Sequence, residues 1–306
     1  MTRTTTKAIL ATLLACASAL PVAAQEQVQR DRHGDIVVEG ERSVDGNEVG
    51  QLARDVTGRQ AYSGDPLARF QRPVCPGVWG LSPDNAQALI DRIYDNATRA
   101  GVEVNQEAGC PANLWVIFVN DPRETFQRLR DDNAFLVRGL DYWARKAVTE
   151  QEGPVLAWNV ISVRNPDGMP IASPGNTALA AAEARSGGEI PANPVTQMSR
   201  THAAVRQDIE MSVMLVQRSA IAHLDAWALG DYATMRTLAQ TRPPREENAY
   251  ETVLALFDED AVSPPERLTR FDLAYLQSLY MSRVDQPGRQ ALRNVDELME
   301  LDARAE

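Results

Sequence analysis

Residues 75 to 119 constrain the fold more than any other stretch of this chain. Cys75 precedes a short apolar strand at Val78-Trp79-Gly80-Leu81, and Ser82 then stands as a helix N-cap with Pro83 at the first helical position. Ala86, Leu89, Ile90, Ile93, Ala97 and Ala100 recur at helical spacing until Gly101 offers a stop. Cys110 precedes Leu114-Trp115-Val116-Ile117-Phe118-Val119, an apolar run of the kind buried in a sheet. Strand, helix and strand make a crossover unit whose two strands run parallel. Both cysteines then sit at the same end of neighbouring strands, and a Cys75–Cys110 disulfide follows from that topology.

A disulfide needs an oxidising compartment, and the N-terminus supplies a route to one. Arg3 and Lys7 form a positive n-region, residues 8 to 20 an apolar h-region, and Val22-Ala23-Ala24 presents small residues before Gln25. Residues 1–24 therefore read as a secretory signal peptide. The absence of an Arg-Arg pair favours Sec-type export. Leu13-Leu14-Ala15-Cys16 offers a competing lipoprotein cleavage box. No segment approaches the roughly 20 apolar residues of a spanning helix, so an integral membrane protein is not expected. The periplasm is the expected location, with secreted and lipid-anchored forms as alternatives.

Charge and residue usage then remove function classes. With 31 Lys and Arg against 42 Asp and Glu, the formal net charge is -11. That field repels phosphate backbones, and no local basic patch opposes it, so no nucleic-acid partner is expected. Lys146 is the one lysine beyond the signal peptide, which leaves little room for lysine nucleophiles. There is no Gly-x-Ser-x-Gly elbow, Walker loop or dinucleotide glycine fingerprint, and the disulfide leaves no free thiol in the exported chain. His33, His202 and His223 share no ligand spacing. No cofactor, metal or catalytic residue is assigned.

The remaining stretches suggest one α+β domain over residues 66–306, preceded by an extended or disordered leader over residues 25–65. Within the leader, residues 35 to 42 (Asp35-Ile36-Val37-Val38-Glu39-Gly40-Glu41-Arg42) are β-prone and resemble the short segment near the mature start of TonB-dependent outer-membrane receptors. A chain of this length cannot supply such a receptor's plug and barrel, and the segment reads as a tether or as a strand added to a partner's sheet. Asp121-Pro122 opens a helix to about Leu129, and Leu140 to Val148 is helical. Val155 to Val163 alternates as a strand ending in the turn Asn165-Pro166-Asp167-Gly168. Residues 165–200, rich in Gly, Pro, Ser and Ala, read as a flap or insertion. Ile209 to Leu215 alternates as a half-exposed strand. Leu224, Trp227, Ala228, Tyr232, Met235 and Leu238 mark a helix with one buried face. Val253 to Phe257 is a short apolar helix, Thr269 and Asp272 form a capping box, and Gln290 to Leu301 is a final helix.

Four elements carry a resemblance: Pro73-Val74-Cys75-Pro76-Gly77, residues 230–236 (Gly-Asp-Tyr-Ala-Thr-Met-Arg), residues 253–258 (Val-Leu-Ala-Leu-Phe-Asp) and residues 268–276, which open Leu268-Thr269-Arg270-Phe271-Asp272. They look like a family of uncharacterised exported alphaproteobacterial proteins, over roughly residues 66 to 285. More distantly, the order of elements is similar to secreted proteins with a zincin-like metallopeptidase fold. In zincins the long helix carries His-Glu-x-x-His, two imidazoles on one face for zinc. If Asp231 stands at the glutamate, Gly230 and Thr234 occupy the two histidine positions, and neither binds zinc through an imidazole. The resemblance thus implies a small mixed sheet packed by helices, degenerate zincin-like, with a helical C-terminal part and no metal site.

The reading that results is an exported, non-catalytic domain that binds an envelope protein or a peptide, gripped along an edge strand at 209 to 216 beneath the 165–200 flap. Asp231, Tyr232, Arg236 and Asp272 are its candidate functional or structural residues. Asp231 lies at the border of a buried face, where a carboxylate needs a hydrogen-bonding partner such as an arginine. The five tryptophans are expected in the core. The alternative is a metallohydrolase or peptidase-like enzyme with an irregular site of Asp231, His202 and His223. A pair of carboxylates doing glycosidase-type work, or a purely structural envelope component, completes the set.

Overall fold

Strands β1 (Pro76–Trp79), β2 (Leu114–Val119), β3 (Val155–Arg164) and β4 (Arg206–Gln217) form one mixed sheet in the order β1-β2-β4-β3. β1, β2 and β4 run parallel, and β3 is the antiparallel edge. The computed structural model describes residues 44–58, 64–171, 202–246, 248, 250–261 and 263–305. The signal peptide, the lipoprotein box, the β-prone segment 35–42 and most of the 165–200 flap lie outside the described residues.

The crossover unit forms as the sequence predicts. Helix α2 (Pro83–Arg99) joins β1 to β2, with the Ser82 side chain accepting from Asn85 N–H and Pro83 in the first turn. Cys75 and Cys110 are bridged with their Cα atoms 6.3 Å apart. After β2 the chain builds α3 (Pro122–Asp131), α4 (Phe135–Arg138) and α5 (Tyr142–Thr149), of which α3 and α5 pack on β3. These bury Phe126, Leu136, Val137, Leu140 and Val148 against Leu156, Trp158, Val213 and Leu215 on one face of the sheet. The opposite face meets a larger layer made by α2, α6 (Ala226–Leu238) and α7 (Arg270–Met281). Two C-terminal helices, α8 (Gly288–Ala291) and α9 (Val295–Ala305), complete the chain. A 3-10 turn at Val253–Ala255 stands where a short apolar helix is predicted, and the predicted final helix breaks at Leu292 into α8 and α9.

Three expectations are corrected. The leader does not stay extended to residue 65: Gly46–Thr57 is a helix, α1, capped by Asp45, and it buries Val49, Leu52, Ala53 and Val56 in the main core. Those positions have helical spacing, but Gly46 and Gly50 weaken the local propensity that would announce it. β4 is not an edge strand, because it lies between β2 and β3 with both faces covered, and Val213 to Val216 are all buried. The free antiparallel edge belongs to β3. Nor are the tryptophans uniformly core residues: Trp158 is buried, whereas Trp79, Trp143 and Trp227 are more than half exposed.

Candidate functional site

Helix α6 carries three of the candidate residues, and every residue from Ala228 to Leu238 is buried. A helix enclosed on all sides must satisfy each polar side chain internally. Asp231 does so against α2 and the segment leading into α7. Arg92 Nε and Nη2 donate to its two carboxylate oxygens at 2.5 and 2.9 Å, Asn96 Nδ2 donates to Oδ1 at 2.5 Å, and the Leu268 N–H donates to Oδ2 at 3.2 Å. Gly230 allows this approach, since a Cβ there would stand 2.8 Å from the Arg92 side chain. Thr234 receives a second bond from Asn96. The positions that the resemblance aligns with zinc-binding histidines are therefore in the α2–α6 contact.

Arg236 serves the other end of the helix. It donates to the Thr241 carbonyl and to Gln151 Oε1, both at 2.8 Å. Gln151 in turn bonds both the N–H and the C=O of Ala157 through its own amide. A side-chain amide thus imitates a neighbouring strand at one residue of the β3 edge, which blunts that edge locally. Tyr232 is buried with its ring 4.9 Å from Phe257, and burial raises its phenol pKa.

Asp272 is fully buried and closes the capping box of α7. It accepts from Thr252 Oγ1, the Val253 N–H at 2.8 Å and the Thr269 N–H at 3.0 Å, so one carboxylate ties α7 to the preceding 3-10 turn. Burial pushes its pKa up to about 6, against the downward pull of these bonds.

The alternative histidine site is not assembled. His202 lies before β4, with Nδ1 3.6 Å from Asp285, and His223 lies beyond its other end. A strand of this length, 12 residues, separates its ends by roughly 35 to 40 Å. Asp231 meets neither imidazole, and no group of three His, Cys, Asp or Glu among the described residues could hold a metal ion.

What the sequence did not announce is an open aromatic face. On β2, Leu114, Val116 and Phe118 point into the main core, while Trp115, Ile117 and Val119 alternate onto the other face and are only partly buried. The register pairs Gly77 with Trp115 and Trp79 with Ile117, which puts Trp79 on that same face. Gly77 has no side chain because the Trp115 ring fills its place, 2.9 Å from where a Cβ would be. Phe135 stands edge-on to Trp115 with ring centroids 6.5 Å apart. Trp79 is 69% and Phe135 59% exposed. The Trp115 indole N–H is buried without an acceptor among the described residues. α3 and α5 pack on β3, and Trp79 on the β1 side is left exposed. A weak signal was available at Trp79, which ends its strand directly before the turn and cap residues Gly80 to Pro83. No protein-family model, curated protein or solved structure matches the chain.

Proposed function

We propose that this is an exported, non-catalytic domain that binds an envelope protein through the aromatic face of β1, β2 and α4. The exposure of Trp79 and Phe135 around a half-buried Trp115 carries the reading. Exposed aromatic rings of this size are costly to leave in water, and aromatic anchors of this type dominate protein interfaces. Asp231, Tyr232, Arg236 and Asp272 hold the scaffold in this reading, and none is offered to a substrate.

The test is site-specific photo-cross-linking in the producing cell, with a photoreactive residue replacing Phe135 and, as a control, Asp91 on the outer face of α2. The expected result is a discrete adduct from position 135 that disappears when Trp79→Ala is added. Equal adducts from both positions, or one equivalent of zinc in the purified protein that is lost with His202→Ala, would overturn the proposal. A second form follows from the degenerate zincin-like resemblance, in which an extended peptide lies along an edge strand. That edge is β3, where Gln151 occupies only Ala157. Cross-links that map to β3 instead of position 135 would assign this form.

A further inference from the structure

A cleft lies between α1 and the α8–α9 corner, on helices remote in sequence from the aromatic face, and its composition is unusual for this acidic chain. Its cavity volume is about 180 Å³, and its floor includes Val49, Ala53, Leu292 and Val295, all of them buried. Three arginines line it: Arg54 from α1, Arg289 from α8 and Arg293 from the turn before α9. Among the described residues none of the three forms an ion pair. The one side-chain bond is from Arg293 Nε to the Asn294 amide oxygen at 3.1 Å. Asp296, the acidic residue of the lining, packs on Gly46, another lining residue at the amino end of α1, and pairs with none of the three arginines among the described residues.

Three exposed arginines without an ion-pair partner among the described residues line one cleft with an apolar floor, in a chain where acidic residues outnumber basic ones. We propose that this cleft binds a short-chain carboxylate of about six carbons, with the carboxylate among Arg54, Arg289 and Arg293 and the hydrocarbon on the floor. The guanidinium fork matches a carboxylate in a bidentate pair. The apolar floor selects against a bare inorganic anion, which would desolvate it without covering it. Size follows from the volume, which holds about six water-sized groups of roughly 30 Å³ each.

Gly50 supplies a control that leaves every charge in place. It lies in the lining, and a Cβ there meets only the far end of Arg54, at 3.8 Å. A leucine at this helical position therefore fits the backbone and fills the floor. Isothermal titration of the full exported chain with hexanoate, acetate, 1-hexanol and inorganic phosphate tests the proposal. Hexanoate is expected to bind saturably with Kd below about 1 mM, and acetate, hexanol and phosphate at least about tenfold more weakly, since each lacks one half of the match. Arg54→Gln with Arg289→Gln, and separately Gly50→Leu, should each weaken hexanoate at least about tenfold while retaining the far-UV circular dichroism of the parent. Should the double arginine variant fail to fold, Gly50→Leu decides. No saturable heat from hexanoate, hexanol or phosphate binding as tightly as hexanoate, or undiminished binding by a folded Gly50→Leu protein would overturn the assignment.

Discussion

Asp231 shows how a residue that looks catalytic in a sequence becomes structural in a fold. Its two oxygens accept four bonds from Arg92, Asn96 and Leu268, so no lone pair is directed at an open site. Arg92→Ala leaves that carboxylate buried without its counter-charge and is expected to cost about 3 to 5 kcal/mol, read as a lower urea midpoint. Replacing the pair together, as Arg92→Met with Asp231→Leu, should recover part of the loss, because a buried apolar pair carries no desolvation penalty while Asn96 and the Leu268 N–H lose an acceptor. Asp272 makes a prediction in pH. Its folded pKa of about 6 lies above the unfolded value, so folding takes up a proton between about pH 4 and 6. The stability it contributes is complete below the unfolded pKa and declines as pH rises through 6. Denaturation between pH 4 and 7 should show that decline in the parent protein, and Asp272→Asn, which does not titrate, should lack it.

At the scale of elements, the sequence was most legible where pattern and punctuation agree. Ser82-Pro83 begins α2, Asp121-Pro122 begins α3 and Thr269 with Asp272 begins α7, each by a cap whose hydrogen bonds are local. α6 was located but its surroundings were not, because an all-round buried helix containing Asp231, Thr234 and Arg236 resembles an amphipathic one until its partners are known. The sequence conceals α1 for the opposite reason. Its apolar residues are few, and its glycines lower helix propensity, so packing against the C-terminal helices decides its structure. A chain beginning at residue 66 loses Val49, Leu52, Ala53 and Val56 from the core together. It should melt well below the full chain in a thermal scan, and Leu52→Ala alone should cost about 2 to 5 kcal/mol.

For the molecule as a whole, the disulfide and the sheet order matter most. The Cys75–Cys110 bridge closes a loop with a sequence separation of 35, and in the chain-entropy model such a loop contributes on the order of 3 to 4 kcal/mol. The double variant Cys75→Ala and Cys110→Ala should lose about that much in guanidinium denaturation while keeping its far-UV spectrum. The sequence by itself determined the crossover unit, its parallel strands, the cysteine pairing and the capped starts of the principal helices, because these rest on periodicity and on bonds within a few residues. Only the tertiary structure decided that β4 inserts between β2 and β3, which makes β3 an edge strand. It also decided that Trp79 and Phe135 face outward around Trp115, and that Arg54, Arg289 and Arg293 converge from opposite ends of the chain. Strand order, exposure and convergence are set by contacts between distant residues, and a local pattern of apolar and charged side chains carries no information about which distant neighbour covers it.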